Sequence, residues 1–272
     1  MKHRRHYFFL REERDDGELY SPLALLRELA RWSEEFGLVK TIPAGRPLYR
    51  ARSQKPGETL SSAADLGPPP EDKATMSNRM NPPGIVMFYV SDSPETALRE
   101  IAKDPAKDVG DYAIGELRTR REMKILDLAE VPPIPSIFAP VSDTLEYDPR
   151  PPTIFLNYFA TELSQPIARD RSIHVEYIPT QVITEYFRTE FLHNGQKIDG
   201  IRYSSARHSD HSSLVLFATQ DDLVGGNPSA SGSYVGTPDR WIELTRYEQR
   251  HVTAEALEQW EREAPKGVEW VR

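Results

Sequence analysis

Apolar residues fall into short runs whose spacing changes from helical to alternating and back along the chain. Leu23, Leu26, Leu29, Ala30 and Trp32 recur at roughly helical spacing. They predict an amphipathic helix over residues 22–36, capped by Ser21 and stopped at Gly37. Residues 41–51, TIPAGRPLYRA, read as one entry strand with Arg50 near its end, and residues 85–90 as a short apolar strand. Residues 112–117 and 124–128 alternate as two further strands. Phe155, Tyr158, Phe159 and Leu163 predict a helix over 154–169, and Val182, Ile183, Tyr186 and Phe187 another over 179–188. Residues 200–204 and 213–218 read as a hairpin, 241–244 as a strand and 253–263 as a closing helix. No unit of about 20 to 50 residues repeats. Strands mixed irregularly with helices predict an α+β domain.

Prolines mark where these patterns stop. The polar segment 54–77 is long for a loop, and loops of that length are functional or disordered. Pro132, Pro133, Pro135, Pro140, Pro149, Pro151 and Pro152 predict an irregular surface crossover over 128–152. The glycine-bearing run 225–236 is expected to be a flexible loop.

The stretch from Leu66 to Ile101 organises the rest. A proline-rich loop gives way to the apolar strand, and Ser93, Pro94 and Glu95 then supply an N-cap, a first helical residue and an acid at the positive end of the dipole. On that helix Ala97, Leu98 and Ile101 share an apolar face, with Glu100 at its edge and Arg99 turned toward water. Tyr89 ends the strand with its ring held and its hydroxyl near a rim. From the residues alone, this set reads more readily as a cap, a core aromatic and a solvated charge than as a site.

Charge narrows the partners. Lys and Arg number 34 against 42 Asp and Glu, a net charge of -8, so the chain repels polyanions and no nucleic-acid partner is expected. A local basic patch remains compatible with a small phosphorylated ligand. Cysteine is absent, which removes disulfides and thiolate chemistry and fits a reducing compartment. No window approaches the length of a membrane span, and the apolar run 7–10 is too short for a signal peptide. A cytoplasmic location is expected.

Dinucleotide-fold, P-loop, zincin and α/β-hydrolase motifs are all missing. His208 and His211 flank Asp210 and are expected to be exposed turn residues rather than metal ligands, so no metal site is expected. Ser204 and Ser205 lack a histidine partner in sequence, which leaves a serine nucleophile unsupported. Arg50 and Arg79 are candidates for a diphosphate, because the guanidinium fork offers paired, permanently charged donors. Arg46 and Arg52 are assigned to the surface.

The run LGPPPEDKATMSNRMNPPGIVMFYVSDSPETALREI resembles the RES domain family, as do PLYRAR at 47–52, EYIPTQVITEYFR at 176–188 and DGIRYSSARHSDHSSLVLF at 199–217. Such a resemblance implies an ADP-ribosyltransferase-like fold over 45–225. Residues 1–44 would form an N-terminal helical extension, and 226–272 a strand and helix packed on the domain. It also turns 54–77 into an ordered loop over a ligand. The implied activity is that of NAD-consuming toxins paired with antitoxins, with NAD as substrate and no cofactor. The implied site takes Glu100, Ser205 and Arg50 as catalytic residues, with Arg50, Arg79, Tyr89 and Ser205 holding the substrate. Transfer of ADP-ribose to a macromolecule, and a non-catalytic nucleotide-binding module, are the alternatives. An antitoxin or regulatory protein is the implied partner, and monomer and homo-oligomer both stay open.

Overall fold

A computed structural model describes residues 22–138, 147–164, 177–226 and 239–265. Its backbone is one eight-stranded mixed sheet with helices, an α+β arrangement. In chain order the elements are α1 (Pro22–Glu35), β1 (Val39–Ile42), β2 (Pro47–Ser53), α2 (Ala63–Leu66), β3 (Phe88–Ser91), α3 (Pro94–Ile101), β4 (Gly110–Thr119) and β5 (Met123–Asp127). They continue as α4 (Arg150–Ser164), α5 (Ile178–Thr189), β6 (Gly200–Ser204), β7 (Ser212–Leu216), β8 (Ile242–Val252) and α6 (Ala254–Glu263). The sheet order is β1-β5-β6-β7-β3-β2-β4-β8. Only β5 and β6 run parallel; the other neighbours are antiparallel.

Three apolar clusters hold the layers. Leu26 and Leu29 of α1, Leu156 and Phe159 of α4 and Phe187 of α5 pack over β5 to β7. Phe88, Leu117, Ile125 and Leu216 form a second cluster with Trp241. Ala97 and Leu98 of α3 pack on Ala51, Ile114 and Val252, and Leu257 of α6 closes that third cluster.

Several elements depart from the sequence reading. Residues 41–51 are not one strand: Gly45 turns the chain at a φ of 82°, so that β1 pairs with β5 while β2 pairs with β3 and β4. Pro151 and Pro152 lie inside α4, which starts at Arg150, because the first helical turn needs no N–H from them. Of the apolar run 85–90, only the part from Phe88 joins the ladder, although Ile85, Val86 and Met87 are buried. The last strand runs on to Val252. The expected cap at Ser21, helix end at 165–169 and loop at 227–236 lie outside the described residues.

Segment 54–77 carries its own structure. Ser62 accepts from the Asp65 amide at 3.1 Å, and Asp65 accepts from the Ser62 amide at 3.0 Å, a reciprocal cap that starts α2. Leu66 is thereby fully buried. Replacing Ser62 by Ala is expected to cost about 1 kcal/mol, read as a lower urea midpoint with unchanged slope. An unchanged midpoint would leave the cap without weight in the fold.

Candidate functional site

The site begins where the sheet comes apart. β2 and β3 pair at a single position, Tyr49 opposite Ser91. Alongside it, Arg50 Nη1 donates to the Tyr89 carbonyl at 3.0 Å, and its guanidinium lies 5.2 Å from the Phe88 ring centre. Its Nε is buried with no hydrogen-bond partner, and no carboxylate pairs with it among the described residues. Burial, reinforced by the charge of Arg52, pulls its pKa down to about 9. At neutral pH it is therefore a half-buried cation at the cleft wall with no counter-charge among the described residues, which favours an arriving anion.

Tyr89 is held from both ends. Its hydroxyl donates to Asn81 Oδ1 at 2.6 Å, and Asn81 Nδ2 donates to the Ile85 carbonyl at 3.0 Å. The hydroxyl is thus tied inward rather than left at a rim, and burial pushes its pKa up. The loop that carries Asn81 is fastened by α5, since Gln181 Nε2 donates to the Asn78 carbonyl at 2.8 Å. Arg79 in the same loop donates to the Glu162 carbonyl of α4 and stacks 5.1 Å from the Tyr177 ring centre.

Helix α3 brings the acid. Ser93 accepts from the Thr96 amide at 3.1 Å and Pro94 takes the first turn, as the local signals required. Glu100 in the last turn accepts a hydrogen bond from Ser205 Oγ at 2.7 Å, with Ser213 Oγ at 3.5 Å. Ser205 is itself fixed, because its oxygen accepts the amides of Arg207 and His208, both at 3.2 Å. Burial, and next the charge of Glu100, raise the Tyr203 hydroxyl well above its usual pKa. It remains a donor beside that carboxylate.

Arg50, Arg79, Tyr89 and Glu100 line one cleft of about 380 Å³, within the size range of small-molecule sites. Ser205 does not line it. The serine stands behind Glu100, facing a neighbouring groove of about 580 Å³. Among the described residues, the cleft lining carries Arg50, Arg79, Lys103 and Arg207 against one carboxylate, that of Glu100, the reverse of the molecule's overall charge. An anionic ligand whose reacting centre turns cationic suits that distribution.

Sequence reasoning missed part of the lining. Tyr203 and Arg207 flank Ser205 in the same short motif and could have been taken with it. Ser91 and Ser213 face each other at 3.1 Å across β3 and β7, and buried serines that interrupt two apolar strands were the available signal. Arg52 is not a surface residue: Nη2 donates to the Gly67 carbonyl at 2.7 Å and burial lowers its pKa.

Arg99 is also misread by the helical pattern, since it is buried at 5% exposure, while Ile101, expected inside, is 39% exposed. His208 and His211 are half-buried rather than exposed. Their rings stack at 3.9 Å, His208 Nδ1 meets Thr96 Oγ1 at 2.8 Å and His211 Nδ1 meets Asp92 Oδ1 at 3.0 Å. They fasten the Ser205 loop to the start of α3. Among the described residues no group of three or more His, Asp and Glu side chains is placed to hold a metal ion.

A family model described as the RES domain matches residues 47–235. That span takes in Arg50, Arg79, Tyr89, Glu100 and Ser205. No curated protein and no solved structure matches the chain.

Proposed function

Because the chain belongs to the RES domain family, we propose that its cleft binds NAD and breaks the bond between nicotinamide and ribose. The observation that carries this reading is the carboxylate of Glu100, held by Ser205 at 2.7 Å in a cleft whose other charged lining residues, among those described, are the cations Arg50, Arg79, Lys103 and Arg207. Arg50 and Arg79 hold the diphosphate, since paired charged donors match its oxygens. The nicotinamide cation lies on the face of Tyr89.

As the C1′–N bond lengthens, its electron pair passes to the ring nitrogen and neutralises the pyridinium, while positive charge grows on the ribose. Glu100 stabilises that charge at a fixed position. Water, or phosphate, then bonds to C1′ and loses a proton, giving ADP-ribose or its 1-phosphate with free nicotinamide. The same depletion of NAD underlies the proposed role as a toxin or defence effector, with a protein partner restraining it in the cytoplasm.

The test is the fate of NAD incubated with the purified full chain, with and without phosphate. Nicotinamide with ADP-ribose in either buffer supports hydrolysis, and release only with phosphate supports phosphorolysis. ADP-ribose attached to a macromolecule instead would favour a transferase. Intact NAD bound to the protein would favour a module without turnover.

A second expectation concerns Ser205. Its Oγ–H bond keeps the carboxylate in one rotamer, so Ser205→Ala is expected to lower kcat about tenfold to a hundredfold with KM little changed. A wild-type kcat would mean that Glu100 needs no such restraint.

A further inference from the structure

Arg99, one residue before Glu100, is a charged side chain the proposed chemistry does not use, yet it is only 5% exposed. Its guanidinium is gripped twice. Nε and Nη2 donate to Glu95 Oε1 one turn earlier, at 3.0 and 2.5 Å, and Nη2 donates to Glu263 Oε2 on α6 at 2.7 Å. The Trp260 ring centre, one turn before Glu263, lies 5.3 Å from the same guanidinium. Leu257 packs beside them against α3. The last helix therefore holds the short helix at its acid-bearing end by charge, ring face and apolar contact together.

That grip bears on Glu100 by simple geometry. Helix α3 has eight residues, too few to keep its own orientation without packing. Neighbouring side chains on a helix are fixed about 100° apart, so a rotation that carries Arg99 away from Glu263 carries Glu100 away from Ser205 by the same angle. Ser205 sets the carboxylate rotamer, and Arg99 sets the rotation of the backbone that bears it. Both α6 and β8, which pairs with all ten residues of β4, lie beyond residue 235, where the family match ends.

We infer that Glu263 and Trp260 are positioning residues for Glu100, acting through Arg99, and that the working apparatus of this chain extends past its family-matched region. The activity arm of the test rests on the NAD reading; the exchange arm does not.

Glu263→Gln and Trp260→Ala, made in the full chain, are compared with the wild type well below their melting temperatures. Each is expected to lower kcat for nicotinamide release about tenfold with KM within about twofold, and Glu263→Asp is expected to recover most of the loss. Amide exchange in α3, read at the Ala102 N–H that bonds the Leu98 carbonyl at 2.8 Å, is expected to quicken in the Gln and Ala variants. A lower melting temperature with wild-type kcat would make the contact a stabilising one only and overturn the inference. If the wild type releases no nicotinamide, the NAD reading falls and exchange alone decides. Faster exchange in the variants then supports the positioning role, and unchanged exchange overturns it.

Discussion

Glu100→Gln is expected to abolish nicotinamide release, lowering kcat by about a thousandfold, while the variant still folds and still binds NAD. The amide keeps the shape of the carboxylate and can still accept from Ser205, whose hydroxyl lies 2.7 Å from Glu100 Oε1. What disappears is the negative charge opposite a ribose becoming cationic, so the loss falls on the transition state and not on the ground state. Binding measured by calorimetry should stay within about threefold of wild type, because the proposed diphosphate contacts are those of Arg50 and Arg79. Turnover within tenfold of wild type would remove Glu100 from the chemistry.

Arg50→Met is expected to have two effects of opposite sign. In the absence of ligand the variant should melt no lower than the wild type, and higher if the methionine packs on Phe88. The reason lies in the buried guanidinium, whose Nε has no partner and whose pKa burial pulls down to about 9. A folded-state pKa depressed below that of the unfolded chain means that, for a cation, folding at neutral pH carries a cost that is relieved only as pH rises from about 9 toward the ordinary arginine value. Removing the charge removes that cost. With NAD present the order should reverse, since a diphosphate supplies the missing counter-charge to the wild type alone. The expected loss in kcat/KM is at least about a hundredfold. A variant that melts well below the wild type without ligand, or that gains the same thermal shift from NAD, would contradict this account of Arg50.

The contrast between these residues shows what a sequence can disclose. The turn into α3 was legible because Ser93, Pro94 and Glu95 act on amides within one helical turn. The arginine, tyrosine, glutamate and serine of the candidate site came from extended motif resemblance, and spacing alone left each with a bland alternative. Long-range partnership is what stayed hidden. Glu95 stands one turn before Arg99, but nothing nearby indicates that a second counter-charge is Glu263, 164 positions away, so a helical projection sends Arg99 to water. The same limit hid the parting of β2 from β3, because the pairing at Tyr49 and Ser91 joins strands on either side of a long loop. Arg50 was assigned to a cleft, but its donation to the Tyr89 carbonyl in place of a carboxylate could be learned only from the packed sheet.

Whether the cleft around Glu100 breaks the nicotinamide–ribose bond can be read directly from NAD. Proton NMR of NAD mixed with catalytic amounts of wild-type protein, following the anomeric proton of the nicotinamide ribose, tests it most directly. With the wild type this signal should decay while free nicotinamide grows in equal amount, and the Glu100→Gln variant should leave both unchanged over the same interval. Intact NAD after prolonged incubation with folded wild-type protein, or equal decay with the variant, would contradict it.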